Sequence, residues 1–410
     1  MSLYCGIDWA TAHHDVAVVN DDGRVVARRR VGNDAAGFAQ LLTLLAEAGD
    51  TAEHPIPVAI ETDRGLWVAA LRETGRAIYP INPLAASRYR ARYAVSGAKS
   101  DATDAVLLAN IVRTDPGAHR PLPADTEAAQ AIRVLARAQQ DAVWARQQIG
   151  NQIRDLLKDF YPAALAAFAE LPDGGLARRD ARTILAAAPT PAQAAKLTPA
   201  RLRRLLIKAE RKRYLDRDVD RLRAIFADTY LHQPPIVENA MGIQLGALLG
   251  QFDAACAAAD ELAEAATDHF ERHPDAEIIT SFPGLGTLTG ARVLAEIGDD
   301  RERFADARGL KAYAGSAPIT RASGKKTVVL HRHIKNRRLA AVGPIWALAS
   351  LRASPGARRH FDARRATRDW NHQAQRNLFN KFLGQLHHCL QTSQVYNEHQ
   401  AFPPPLDLAA

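Results

Sequence analysis

Leu3-Tyr4-Cys5-Gly6-Ile7-Asp8-Trp9 opens with an apolar run over 3–7 that reads as a buried strand, and an aspartate closes it. Two more strand-like runs follow over 16–20 and 24–31, joined by the hairpin turn Asp21-Asp22-Gly23. Beyond them, 35–48 has helical spacing through Phe38, Leu41, Leu42 and Leu45. A strand over 56–60, a helix over 65–74, a strand over 77–81 and helices over 84–92 and 101–113 complete the pattern. Three antiparallel strands followed by βαβ units describe a layered α/β fold of the RNase H type.

That reading puts carboxylates at decisive places. Asp8 closes the first strand, Glu61 closes the run over 56–60, and Asp101 and Asp104 sit at i and i+3 on one face of the helix starting within Lys99-Ser100-Asp101-Ala102-Thr103-Asp104. Each has an ordinary explanation taken singly, as a turn residue, a surface acid or a helix N-terminal acid favoured by the dipole. Their joint placement is what a two-metal phosphodiester site needs, since hard Mg²⁺ takes oxygen ligands and stabilises both the attacking and the leaving oxygen. Asp15 and Asp63 lie nearby and rank lower. The pairs His13-His14, His331-x-His333 and His387-His388 lack a partner motif at zinc spacing, and no zinc is expected.

With 410 residues the chain calls for two or three domains, and 47% hydrophobic content can fill their cores. No apolar run of about eighteen residues occurs, so no membrane span is expected, and the N-terminus lacks the layout of a signal peptide. Cys5, Cys256 and Cys389 are scattered and odd in number, as in buried thiols of a cytoplasmic protein. The net charge of +8 is unevenly distributed: residues 321–410 carry +11 and the remainder −3. A basic end on an otherwise slightly acidic chain points to a polyanion partner.

Residues 125–272 read as almost pure helix. Leu135, Ala142, Ile149 and Leu156 recur every seven residues, as in a coiled-coil or bundle helix. A second helix is expected over 201–231, with ten Lys/Arg between 201 and 223, and a third over 237–270. A dimerising arm is the plainer reading of this region, and nucleic-acid contact by its basic face is the other. Further on, Phe282-Pro283-Gly284-Leu285-Gly286 followed by a helix capped by Thr287 has the layout of a helix-hairpin-helix, which points backbone N–H groups at a phosphate; a Gly-rich connection between packed helices is the alternative. Ser323 precedes Gly324 in a turn surrounded by Lys325, Lys326, Arg332, Lys335, Arg337 and Arg338, a phosphate-binding loop in its own right. The Pro-rich tail is expected to be disordered.

The segments Tyr4-Cys5-Gly6-Ile7-Asp8-Trp9, Ile60-Glu61-Thr62, Ser96-Gly97-Ala98-Lys99-Ser100-Asp101-Ala102-Thr103-Asp104-Ala105, Phe282-Pro283-Gly284-Leu285-Gly286 and Tyr313-Ala314-Gly315 through Ala322-Ser323-Gly324-Lys325 occur in that order. Together they resemble the DEDD transposases of insertion sequences, family one hundred and ten, over most of the chain. The resemblance implies a RuvC-like catalytic domain over 1–122, a helical oligomerisation region over 123–274, a C-terminal transposase domain over 275–395 and a tail over 396–410. It implies Mg²⁺, with Mn²⁺ as a substitute, on Asp8, Glu61, Asp101 and Asp104, and a covalent phosphoserine link to DNA at Ser323. Gly284, Gly286 and the Lys/Arg cluster from Lys325 to Arg338 would contact nucleic acid. The partners it implies are element and target DNA, a bridge RNA, and further copies of the chain in a dimer or tetramer whose subunits contribute different halves of the site, in the bacterial cytoplasm at the nucleoid. Ser316 departs from the family pattern and places a second hydroxyl seven residues before Ser323.

Three other classes compete. An actin-like or sugar-kinase ATPase also begins with a strand, Gly-x-Asp and a hairpin, but needs further Gly-rich phosphate and adenosine motifs that this chain lacks. A metal-dependent junction nuclease would use Ser323 only to bind phosphate. For a non-catalytic nucleic-acid-binding protein, four placed carboxylates would be a liability.

Overall fold

Mostly buried apolar runs within the first eighty residues build a five-stranded mixed sheet in the order β3-β2-β1-β4-β5. Its strands are β1 (Leu3–Trp9), β2 (His13–Asn20), β3 (Val25–Gly32), β4 (Val58–Ile60) and β5 (Ile78–Pro80). The first three are antiparallel neighbours, whereas β4 runs parallel to both β1 and β5. The computed structural model describes residues 2–93, 101–168, 175–324 and 326–403, with backbone alone for Tyr93, Asp101 and Ala102. Met1–Ala124 and Asp125–Ala410 form two compact units.

In the first unit the sheet is covered on both faces. Cys5, Ile7, Val58 and Ile60 pack against α1 (Ala35–Ala48) and α2 (Leu66–Glu73), with Leu41, Leu45 and Leu71 fully buried. Tyr4 and Ala59, on the opposite pleat, pack with Leu108, Ile111 and Val112 of α4 (Asp101–Thr114) and Ala86 of α3 (Pro83–Tyr93). Gly6 is what lets α4 lie down: a Cβ there would stand 2.0 Å from the Ala105 carbonyl oxygen and 2.6 Å from the Ala109 nitrogen. Gly6→Ala is therefore expected to lift α4 from β1 and to cost about 2–3 kcal/mol, read as a lowered melting temperature. This mixed α/β layering fits the RuvC-like expectation, followed by a mostly helical remainder.

The second unit is organised by two long helices, α5 (Glu127–Phe160) and α11 (Pro235–Glu271). They run antiparallel: Gln139 of α5 donates to the Ala259 carbonyl of α11 at 3.5 Å, and Gly150 lies under the Phe252 ring. One end of the pair enters a core with α6 (Pro162–Phe168), α7 (Arg179–Ala187), α8 (Pro191–Ala195), α9 (Pro199–Lys208) and α10 (Leu215–Ala227). At the other end, Ile132, Ala136 and Phe270 join the C-terminal core. That core takes in α12 (Ala276–Thr280), α13 (Thr287–Ile297), α14 (Ala307–Tyr313), α15 (Arg337–Ala353), α16 (Pro355–Ala366), α17 (Asn371–Thr392) and α18 (Glu398–Ala401). Trp346 stacks on Phe382 at 5.1 Å at its centre. The two-stranded hairpin β6 (Ile319–Ser323) and β7 (Lys326–Leu330) projects from this unit, with its residues largely exposed. No described helix is long and apolar enough to cross a membrane.

Three expectations need correction. The helix expected over 201–231 is two, because Glu210 and Tyr214 take left-handed backbone conformations between α9 and α10. Gly286, rather than Thr287, is the N-cap of α13, and it provides no side-chain cap. The C-terminal stretch is folded up to residue 403: Phe402 is buried against Phe382, and Glu398 accepts from the Ser354 hydroxyl and the Gly356 N–H.

Candidate active site

The register of β1 and β4 decides the geometry of the carboxylates. Ile7 pairs with Ile60 on adjoining parallel strands roughly 5 Å apart, so Asp8 of β1 and Glu61, the residue just past β4, both follow this pair. Asp8 lies two residues after Gly6, on the pleat that α4 covers, and Glu61 sits in the bend that follows β4. Asp104 sits on α4 beside Ala105, whose carbonyl abuts Gly6. Two strand ends and one helix thus place Asp8, Glu61 and Asp104 toward the same end of the sheet.

Asp15, ranked below these carboxylates from the sequence, is a close neighbour of Asp8. It stands directly opposite Asp8 across the β1–β2 ladder and shares its face. Arg30 neutralises it, with Nε 3.0 Å from Oδ1 and Nη2 2.8 Å from Oδ2. Asp104, 4% exposed, is held in the same way: Arg90 of α3 places Nη2 2.7 Å and Nε 3.2 Å from its Oδ1. No sequence period marks Arg90 out from Arg88 and Arg92. Arg90→Ala is expected to leave a buried carboxylate unpaired and to lower stability by about 2–3 kcal/mol in a thermal melt. Asp101 begins α4, but its side chain lies outside the described residues, as do Lys99 and Ser100. His14 is fully buried; Nδ1 accepts from the Ala10 N–H, Nε2 faces Asn33 Oδ1, and burial pushes the imidazole below its ordinary pKa.

These donors are all carboxylate oxygens, the set a hard divalent cation prefers over thiolate or imidazole sites. Among the described residues no three His, Cys, Asp or Glu side chains converge as a ready metal cage. Arg30 and Arg90 each pair with an acid of the group, Asp15 and Asp104. The donor chemistry therefore fits a hard cation.

Ser323 belongs to the second unit. It closes the β6–β7 hairpin opposite Lys326, followed by Gly324 at φ +56°, and is exposed. Lys325 lies outside the described residues. Ser316, the other hydroxyl, is buried and donates to Asn380 Oδ1 at 2.9 Å, which makes it a packing group. Of the basic cluster, Lys326 and Arg337 are exposed, and Arg332 approaches the Ala317 carbonyl at 3.4 Å. Arg338 is engaged within the unit, bidentate to Asp141 at 2.7 and 2.9 Å and lying over the Trp144 ring. Lys335 meets His331. Gly284, at φ +82°, packs against the α15 backbone, where a Cβ would stand 2.5 Å from the Ser350 nitrogen, while Gly286 is exposed.

Comparison with known proteins bears on both units. Residues 5–162 match a family model described as "Transposase", and residues 276–362 match one described as "Transposase IS116/IS110/IS902 family". The chain is 61% identical over 410 residues to the "Mini-circle putative transposase for IS117" of Streptomyces coelicolor, covering 100% of this chain and 99% of that protein. The chain belongs to the IS110 family of insertion-sequence transposases. A second relative of this transposase, "Insertion element IS900 uncharacterized 42 kDa protein" of Mycobacterium paratuberculosis, is 28% identical over 401 residues, covering 96% of this chain and 97% of that protein. "Insertion element IS110 uncharacterized 43.6 kDa protein" of Streptomyces coelicolor is 27% identical over 431 residues, covering 100% and 98%. The carboxylate edge lies within the stretch matched by the first model, and the transposase's Ser323 hairpin within that matched by the second. DNA is the substrate of a transposase, and use of a divalent metal goes generally with DEDD transposases.

Proposed function

We propose that this transposase cuts and rejoins DNA through a phosphoserine at Ser323, with Mg²⁺ held by Asp8, Glu61, Asp101 and Asp104. The observation that carries the reading is the placement of Asp8 and Glu61 directly after the paired Ile7 and Ile60, on the sheet packed by the helix bearing Asp104. A bound divalent ion there would neutralise phosphate charge and stabilise the attacking and leaving oxygens. Ser323 supplies the nucleophile: its Oγ forms a new bond to phosphorus, its proton departs, and the scissile P–O bond breaks as the leaving sugar oxygen takes up a proton. Rejoining reverses these steps, so the phosphodiester is conserved without ATP. The exposed place of Ser323 at a hairpin end supports this role, because a DNA strand can reach it.

Residues 1–122 then serve as the catalytic domain, 123–274 as the assembly region and 275–395 as the DNA-handling domain. Assembly into a dimer or tetramer is supported by uncovered apolar side chains beside and along α11, with Leu231 91%, Ile236 81% and Ile243 77% exposed. Guidance by an element-encoded bridge RNA follows from the family and from the basic C-terminal charge.

The test is a covalent-adduct assay. Full-length protein is incubated with element-end DNA and flanking RNA, with Mg²⁺ or EDTA, then denatured and resolved by size. A DNA-shifted protein band only with Mg²⁺ is the expected result. Metal-dependent cleavage without any such band would mean a hydrolytic junction nuclease instead.

A further inference from the structure

Where the Ser323 hairpin joins the C-terminal core there is a cavity of about 200 Å³ with no acidic residue in its described lining. Its polar wall includes His331, Lys335, His372 and Arg376. Lys335 Nζ stands 2.8 Å from His331 Nε2, and Arg376 Nη1 stands 3.3 Å from His331 Nδ1. Lysine and arginine donate hydrogen bonds and accept none, whereas a neutral imidazole has one accepting nitrogen. Only one of the two contacts can therefore be a hydrogen bond, and protonating His331 would leave neither. No described carboxylate pairs with Lys335 or Arg376. Lys335 and Arg376 thus compete for the single imidazole acceptor, and no described carboxylate supplies another.

The frame holding them is rigid. Gly315, at φ +73°, leaves room for the Lys335 stem, since a Cβ there would stand 2.3 Å from Lys335 Cδ. Arg376 projects from α17, which is anchored by the buried Ala374, Leu378 and Phe379. Lost water contact, Lys335, Arg376 and then His333 push the His331 imidazole below its ordinary value, as an anion-free cationic cluster should.

We infer that His331, Lys335 and Arg376 form a receptor for one phosphodiester phosphate of the DNA strand presented to Ser323. This rests on the reading of Ser323 as the DNA-attacking group. His331 directly follows the Leu330–Ile319 pair at the foot of the hairpin, about 14 Å from the Ser323–Lys326 pair at roughly 3.4 Å per residue. A phosphate bound at the foot of the hairpin therefore lies a few nucleotides along the strand from the scissile bond. The pocket would thus position the strand without reading its sequence.

The experiment uses the full chain and a duplex of the element end, with affinity measured across a salt series. Arg376→Gln is expected to lower the log–log salt slope by about 0.9 and to weaken binding about eightfold at 0.1 M salt, with Lys335→Gln acting alike and Arg376→Lys recovering most of it. Among single methylphosphonates stepped along the strand within a few nucleotides of the cut, one should weaken wild type equally and add nothing in Arg376→Gln. Titration with inorganic phosphate, followed through the His331 ring signals, should raise the His331 pKa in wild type. Unchanged salt slopes in both Gln variants would overturn the proposal, and a His331 response to inorganic phosphate beside unchanged slopes would mean a free-anion pocket, overturning it too. Adduct formation read in the same samples separates the two ideas: lost slope without a Ser323 adduct keeps the phosphate receptor and removes the nucleophile.

Discussion

Asp8→Asn is expected to leave the chain folded and to lower metal-dependent DNA cleavage by at least about 10³-fold. The substitution keeps the shape of a half-buried side chain at the end of β1, so the ladder to β2 and β4 has no reason to shift. What it removes is the negative charge beside Glu61 that would hold a cation. Asp15, directly across the ladder, cannot take over while Arg30 grips both of its oxygens. Glu61→Gln should behave like Asp8→Asn, whereas Asp63→Asn, two residues on and exposed, should cleave within about twofold of wild type. The measurement is single-turnover cleavage of labelled element-end DNA, with circular dichroism melts as the control. Full cleavage by a folded Asp8→Asn protein would remove the strand-end carboxylates from the chemistry and leave their placement a matter of folding alone.

The first unit was readable because its chemistry and its periodicity coincide. Buried runs broken by Asp21-Asp22-Gly23 set the hairpin, and a carboxylate after each of two apolar strands lands on one edge because the pair Ile7–Ile60 fixes the register. What the residues could not announce were the cations. Arg30 and Arg90 are found by cross-strand and interhelical distance, and nothing in their local sequence separates them from neighbouring arginines. The break at Glu210 and Tyr214 was hidden for a different reason. No glycine or proline marks it; the turn exists because folding α10 back lets Leu206, Val219 and Leu222 share one core, with Arg211 reaching Asp218 at 3.0 Å. Phe402 misled in the opposite direction, since a Pro-rich end reads as tail while Phe402 fills the C-terminal core. The β6–β7 hairpin showed no alternation to read, since little of it is covered on either face.

Ser323→Ala is expected to abolish the covalent protein–DNA adduct and to reduce strand exchange by at least about 10⁴-fold, while leaving DNA affinity within about twofold. The asymmetry follows from where the residue sits. Ser323 is exposed at the end of a hairpin that contributes little to any core, so deleting its hydroxyl opens no cavity and breaks no buried hydrogen bond. Affinity comes from the basic groups around it and from backbone phosphates, and these remain. Only a bond made by Oγ itself can be lost so completely at so small a structural cost. Ser316→Ala is the complementary case: that hydroxyl is buried against Asn380, so its loss should lower the melting temperature but permit adduct formation. Were Ser316→Ala to lose the adduct while Ser323→Ala kept it, the nucleophile would move to the buried hydroxyl and the hairpin would be left as a DNA-binding element. If both variants cleave DNA in a metal-dependent way with no adduct in wild type, water is the attacking group and the carboxylate edge alone carries the reaction.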